Sequence, residues 1–196
     1  MTAIVDYDTG NLRSVCNALG RIGAEYIITS DPKVIRSARR VLLPGVGEAS
    51  SAMEKLRVRG LCEVLTTLTQ PVLGICIGMQ LMCRGSEEGD ARCLGIFDTD
   101  VRRLMPCKEE GIKVPHMGWN RVEEISSPLF KGVDNGAFVY FVHSFAPDLC
   151  NATIASSQHG RKFSSALQKR NFYGTQFHPE KSGIVGDIIL HNFMEL

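Results

Sequence analysis

The chain has 196 residues, enough for one domain with a full hydrophobic core and too few for two of ordinary size. Its composition, 44% hydrophobic and 22% charged, is that of a soluble globular protein. The 22 basic and 21 acidic residues leave a net charge of +1, which argues against the basic surface that nucleic acid or an anionic membrane would require. The seven cysteines (Cys16, Cys62, Cys76, Cys83, Cys93, Cys107, Cys150) are odd in number and none has Cys-x-x-Cys spacing. Reduced thiols in a cytoplasmic protein are therefore expected, without a disulfide framework, metal or cofactor. The opening "MTAIVDYDTGN" lacks the pattern of a signal peptide, and no apolar run approaches the roughly 18 residues that would span a bilayer.

In chain order, "AIVDY" (3–7) reads as a first strand and "DTGN" as a turn. "LRSVCNALGRIG" (12–23) places Leu12, Val15, Cys16, Leu19 and Ile22 at helical spacing, with Gly23 as its stop. "EYIIT" (25–29) is a second strand, and "SDPKVIRSA" (30–38) a helix with Ser30 or Asp31 as N-cap and proline in its first turn. "RVLLPG" (40–45) is a third strand, followed by helical "EASSAMEKLRVRGLCEVLTTL" broken near Gly60. "PVLGIC" (71–76) is a fourth strand, and "IGMQLMCRGS" opens a helix. This alternation predicts right-handed βαβ crossovers and a mostly parallel sheet flanked by helices on both faces. Beyond about residue 90 the segments "VRRLM", "VPHMGWN", "AFVYFVHSF", "ATIASSQ", "FSSALQK" and "FYGTQF" read as short strands, expected as antiparallel additions at one sheet edge. "GDIILHNFMEL" returns to helical spacing. With no repeat or linker, residues 1–196 are expected to form a single α/β domain.

Gly74-Ile75-Cys76-Ile77-Gly78 has the form Gly-x-nucleophile-x-Gly at a strand-to-helix junction. That is the pattern of a nucleophile elbow, with glycines where a tight turn brings backbones together. The helix N-terminus would favour the thiolate. An unpaired cysteine is more often a small core hydrophobe, but the flanking glycines and the strand-end position favour the nucleophile for Cys76. A nucleophilic cysteine needs a base and a group to orient it. His116, His143, His159 and His191 show no obvious pairing. His178 stands in "QFHPE", where strand alternation would bring Glu180 to one imidazole nitrogen and leave the other for the thiol; alone, the pair would also suit a polar strand end. An oxyanion hole takes one donor from the N–H after the nucleophile, Ile77, and a second from a neighbouring loop. "LLPGVGEAS" is such a loop, with Gly45 and Gly47 permitting close approach. It could also be a plain helix start or a weak phosphate cradle.

"PGVG", "GICIGMQ" and "QFHPE", in this order, resemble the triad (class I) glutamine amidotransferases. "DYDTGNLRSV", "VPHMGWN", "YFVHSF" and "NFYGTQFHPEKSG" narrow the resemblance to a subfamily, the glutaminase subunits of imidazole glycerol phosphate synthases, over the whole chain. The resemblance implies hydrolysis of glutamine to glutamate and ammonia through a thioester on Cys76, with His178 moving the protons and Glu180 orienting the imidazole. It also implies substrate contacts from Gly45, Gly47, Gln80, Glu88 and the backbone of His143, Ser144 and Phe145. The implied partner is a (β/α)8-barrel cyclase subunit that takes the ammonia in histidine biosynthesis. The length of the chain likewise puts the acceptor site on another polypeptide. Asn11, Trp119, Tyr140 and Lys181 match interface positions, though each also suits ordinary packing or surface. In the oxyanion loop most of the family has Pro-Gly-Gly, whereas this chain has Pro-Gly-Val. Val46 resists the positive φ that glycine adopts freely, so its N–H is expected to point away at rest until a ligand-loaded partner drives a peptide flip. A glutaminase serving another synthase, an elbow-cysteine peptidase or chaperone, and a non-catalytic regulatory module are the competing readings; "QFHPE" argues against the second, and intact Cys76, His178 and Glu180 against the third.

Overall fold

The computed structural model describes residues 1–8, 12–109 and 111–196. Its first half runs β1 (Thr2–Val5), α1 (Leu12–Arg21), β2 (Tyr26–Thr29), α2 (Pro32–Ser37), β3 (Arg40–Gly45), α3 (Ala49–Val58), α4 (Leu61–Thr66), β4 (Val72–Cys76) and α5 (Ile77–Leu81). Every strand and helix read from this half is present. Asp31 is the N-cap of α2 and accepts from the Lys33 N–H. Gly60, at φ 65°, takes the left-handed turn that separates α3 from α4.

The second half supplies β5 (Gly85–Ser86), β6 (Ala91–Arg92), β7 (Asp100–Arg103), β8 (His116–Arg121), β9 (Phe138–His143), β10 (Phe145–Pro147), β11 (Thr153–His159), β12 (Arg161–Lys169), β13 (Phe172–Thr175) and α6 (Gly183–Glu195). The main sheet has the order β11-β12-β13-β4-β3-β1-β2. Five of these strands, β13 to β2, are mutually parallel. β1, β3 and β4 are buried along their whole length, which is why they read as unbroken apolar runs. The chain steps from β1 to β2 in one direction and from β3 to β4 in the other. Right-handed crossovers therefore put α1 on one face and α2 to α4 on the opposite face. The packing agrees, with α1 against α6, α2 against α4, and α4 against α3.

The late strands depart from the expected arrangement. Only β11 and β12 join the sheet edge antiparallel, whereas β13 lies parallel to β4. "VRRLM" contributes β7 to a small sheet of order β10-β7-β5-β6, and "VPHMGWN" and "AFVYFVHSF" form the antiparallel β8–β9 ribbon. Local alternation marks a strand but not its partner, which long-range packing chooses. Here the choice is made by aromatic side chains. Phe141 of the ribbon meets Phe163 of β12 and Phe177 after β13 edge-to-face, each with ring centres 5.9 Å apart, which ties the ribbon to the sheet.

The order of strands sets out the site. The carboxyl ends of parallel strands are where α/β proteins gather ligands, and at that edge Gly45 pairs with Cys76 on one side while Thr175 pairs with Ile75 on the other. The "PGVG" loop and the "QFHPE" segment thus emerge on either side of the cysteine.

Candidate active site

Cys76 has φ 53° and ψ −110°, a left-handed-side conformation that a non-glycine residue rarely takes. The turn is possible because its neighbours have no Cβ. A Cβ on Gly74 would sit 2.7 Å from the Gly78 carbonyl, and one on Gly78 would overlap the Leu43 carbonyl oxygen. Gly78→Ala is accordingly expected to destabilise the protein by about 3 kcal/mol or more, read as a lower urea midpoint, because the overlap is with backbone that has nowhere to move. Cys83 is buried, with its thiol donating to the Met79 carbonyl at 3.6 Å, and burial pushes it well above the usual thiol range. It lies beyond α5 rather than on it, because that helix ends at Leu81 after five residues.

A cavity of about 330 Å³ opens in front of the elbow. Cys76, His178 and Ile77 line it together with Val46, Gly47 and Gln80, as do Glu88, Lys181 and the 143–145 segment. Ile77 is the first residue of α5, so its N–H has no acceptor within the helix. Val46 is not among the described non-glycine residues with positive φ, whereas Gly47 has φ 96°. Gly45 differs from expectation: it does not line the cavity but lies behind the elbow, where a Cβ would come within 2.8 Å of the Gly78 nitrogen and 2.9 Å of the Ile77 Cβ. Its lack of a side chain serves loop-to-elbow packing.

His178 Nδ1 donates to Glu180 Oε1 at 2.7 Å, with both side chains buried. The geometry is not strand alternation as expected, because residues Pro179–Lys181 form a 3-10 turn that swings Glu180 back under the ring. The pair is tied to β9: the His178 N–H donates to the Tyr140 carbonyl, and Ser182 Oγ donates to the His178 carbonyl while accepting from the Tyr140 N–H. Among the described residues, no direct hydrogen-bond partner within bonding distance faces the buried His178 Nε2. Burial pulls the His178 pKa down, but interaction with Cys76 and with Glu180 outweighs it, and the pKa is pushed up to about 10.

The remaining substrate-contact candidates surround this centre. Glu88 Oε2 accepts from the Ala49 N–H at 2.9 Å and so caps α3 from a distant turn; burial, and next to it the Glu48 charge, push its pKa up against that bond. Gln80 Nε2 donates to the Phe145 carbonyl and to Gln176 Oε1, both at 3.0 Å, leaving Gln80 Oε1 buried and without a partner among the described residues. His143 is buried, donating from Nδ1 to the Phe145 carbonyl at 2.8 Å. Contrary to the sequence reading, it is paired: His116 Nδ1 lies 2.9 Å from His143 Nε2, and His159 stacks on His116 at 3.9 Å. The β8–β9 register puts His116 directly opposite His143, a relation invisible at 27 residues' separation. Burial lowers the pKa of His116 to about 4 and of His143 to about 3, so both are neutral.

On the outer face of the ribbon, Trp119 (56% exposed) meets Tyr140 edge-on at 6.0 Å, and Lys181 Nζ lies 5.9 Å above the Tyr140 ring. Met117 and Phe138 extend this exposed apolar face beside the cavity. Asn11 lies outside the described residues. Gln176, Ser182 and His116 are site residues that the sequence reading missed; for Gln176 the signal was present, two residues before His178 in "QFHPE".

Comparisons with known proteins place the chain in a family. Glutamine amidotransferase class-I matches residues 3–195. The chain belongs to the class I glutamine amidotransferase family. It is 54% identical over 194 residues to the imidazole glycerol phosphate synthase subunit HisH of Bacteroides thetaiotaomicron, covering 99% of this chain and 98% of that one. It is 47% identical over 197 residues to the subunit of the same name from Escherichia coli, covering 98% and 99%. A solved glutamine amidotransferase structure superposes with a TM-score of 0.74 at 18% identity, over 98% of this chain and 97% of that one, and so shares the fold. Among the described residues of this class I amidotransferase, no helix is long and apolar enough to cross a membrane, and no cluster of three or more His, Cys, Asp or Glu is placed to hold a metal.

Proposed function

We propose that this chain is the glutamine-hydrolysing subunit of an imidazole glycerol phosphate synthase, acting in the cytoplasm. One observation carries the chemistry: a buried His178–Glu180 pair, 2.7 Å apart, beside a cysteine held at φ 53° on the adjacent parallel strand. The Cys76 sulfur attacks the side-chain carbonyl carbon of glutamine, forming a C–S bond and an oxyanion that the Ile77 and Val46 N–H groups receive. The His178 imidazolium gives its Nε2 proton to the departing nitrogen, the C–N bond breaks, and ammonia leaves. Neutral His178 then takes a proton from water, whose oxygen attacks the thioester; the C–S bond breaks and glutamate leaves. Gln80 Oε1, an acceptor unpartnered among the described residues on a cavity-lining side chain, and the Glu88 carboxylate are contacts for the substrate's ammonium and amide hydrogens.

Ammonia released to water would be protonated, so the acceptor must be close by. The partner is a (β/α)8-barrel cyclase, docked on the Met117, Trp119, Phe138 and Tyr140 face with Lys181 at the cavity rim. The relatives' description as subunits of a synthase supports this reading, as does an apolar patch beside the catalytic opening. Val46 has not taken the positive φ of a flipped peptide, which supports a resting oxyanion hole that lacks its second donor. Glutamine hydrolysis should therefore rise about 10²–10³-fold when the cyclase and its nucleotide ligand are added, the usual worth of one oxyanion donor. Equal rates for the isolated chain and the liganded complex would overturn the flip.

A further inference from the structure

α5 is too short to stabilise an anion by its dipole, because five residues align few peptide groups. Beside the His178 ring, which lines the same cavity, a nucleophilic sulfur gains a further support from any buried donor aimed at it, a part the short helix does not play. We infer that Gln176 is that support: its side-chain N–H donates to Cys76 Sγ and holds the sulfur both charged and in place. The inference rests on the reading of Cys76 as the nucleophile.

Gln176 is fully buried, and its Nε2 lies 3.6 Å from Cys76 Sγ. An amide can be turned either way, but here the surroundings fix it. The Phe145 carbonyl can only accept, so Gln80 must direct its NH₂ group there. The second hydrogen of that NH₂ goes to Gln176, which must therefore present its oxygen to Gln80 and its NH₂ to the sulfur. From the other side, the same carbonyl fixes His143 with a proton on Nδ1. As neutral rings, His143 accepts at Nε2 from His116 Nδ1–H, and His116 Nε2, 3.3 Å from Asn120 Nδ2, accepts there. Donors thus converge on the Phe145 carbonyl from both directions, and a reversal of Gln176 would break its bond to Gln80 and turn an oxygen lone pair toward the sulfur. A buried donor with only one possible direction, aimed at a reacting atom, favours charge on that atom.

The test is the rate at which iodoacetamide alkylates Cys76 at neutral pH, followed on the Cys76 peptide by mass spectrometry, with the other six cysteines as internal controls. Gln176→Leu should slow Cys76 labelling about three- to tenfold, since the higher intrinsic reactivity of the less stabilised sulfur offsets part of the lost hydrogen bond. Gln176→Glu, which keeps an acceptor for Gln80 but turns an oxygen to the sulfur, should slow it at least as much. In isotope-labelled unmutated protein, the Gln176 side-chain amide resonance should shift when Cys76 is alkylated, a readout that survives if the variants fail to fold. Unchanged Cys76 labelling in a folded variant, or an unmoved amide resonance, overturns the inference even if turnover falls, because packing alone would lower turnover. Persistent glutamine hydrolysis by Cys76→Ala overturns instead the reading of Cys76 as nucleophile.

Discussion

Cys76→Ala is expected to lower glutamine hydrolysis by about 10⁴-fold or more while leaving the protein folded and able to bind its partner. The rate effect is the loss of the covalent step itself: no other cysteine among the described residues lines the cavity, and knocking out a triad nucleophile leaves only the catalysis of the binding site and oxyanion donors. The stability effect should be confined to losing the sulfur's interaction with His178, one of the two that raise the pKa of that ring. Besides His178, the sulfur makes long contacts with the Val142 carbonyl at 3.9 Å and Gln176 at 3.6 Å, and alanine has the same cost at φ 53° that cysteine already bears. A thermal melt shifted by a few degrees at most, alongside turnover lost in the liganded complex, is the expected pair of results. A folded variant that still hydrolyses glutamine at a tenth of the original rate would remove Cys76 from the mechanism.

Much of this site was legible because its chemistry is written in short local stretches. The Gly74 to Gly78 spacing encodes a close approach that only glycine allows, and the Leu43 carbonyl occupies the space a Cβ would need. "RVLLPG" is buried on both faces and reads as a strand without ambiguity. What was not legible depends on partners distant in sequence. The His116–His143 pair exists because β8 and β9 align in one register, and a shift of one residue would send one ring to the face opposite the other. Glu88 caps α3 from 39 residues away, replacing Glu48, whose side chain makes no capping bond. The short strands of the second half carried their alternation but not their neighbours. Glu180 reached its place by a 3-10 turn, so the right residue was found through the wrong local geometry.

Glu180→Gln separates two things that Glu180 does, because glutamine keeps an acceptor for His178 Nδ1 but removes the charge. Burial opposes a charged His178, and Glu180 together with Cys76 overcomes it, bringing the pKa up to about 10. With one anion gone that pKa falls, fewer rings carry the proton needed by departing ammonia at neutral pH, and turnover in the liganded complex should drop by about 10²–10⁴-fold. The same change has a signature in stability. An unfolded histidine titrates near about 6.5, so the raised folded value contributes stability that is complete below about pH 6.5 and is lost as pH rises through about 10. The variant should therefore be most destabilised relative to the parent near about pH 6.5, and the gap between their melting temperatures should close as pH approaches about 10. Melting curves across that interval decide the matter. A gap that stays constant from about pH 6.5 to about pH 10 would mean that Glu180 only packs beneath the ring, and that its charge has no part in holding His178 as an imidazolium.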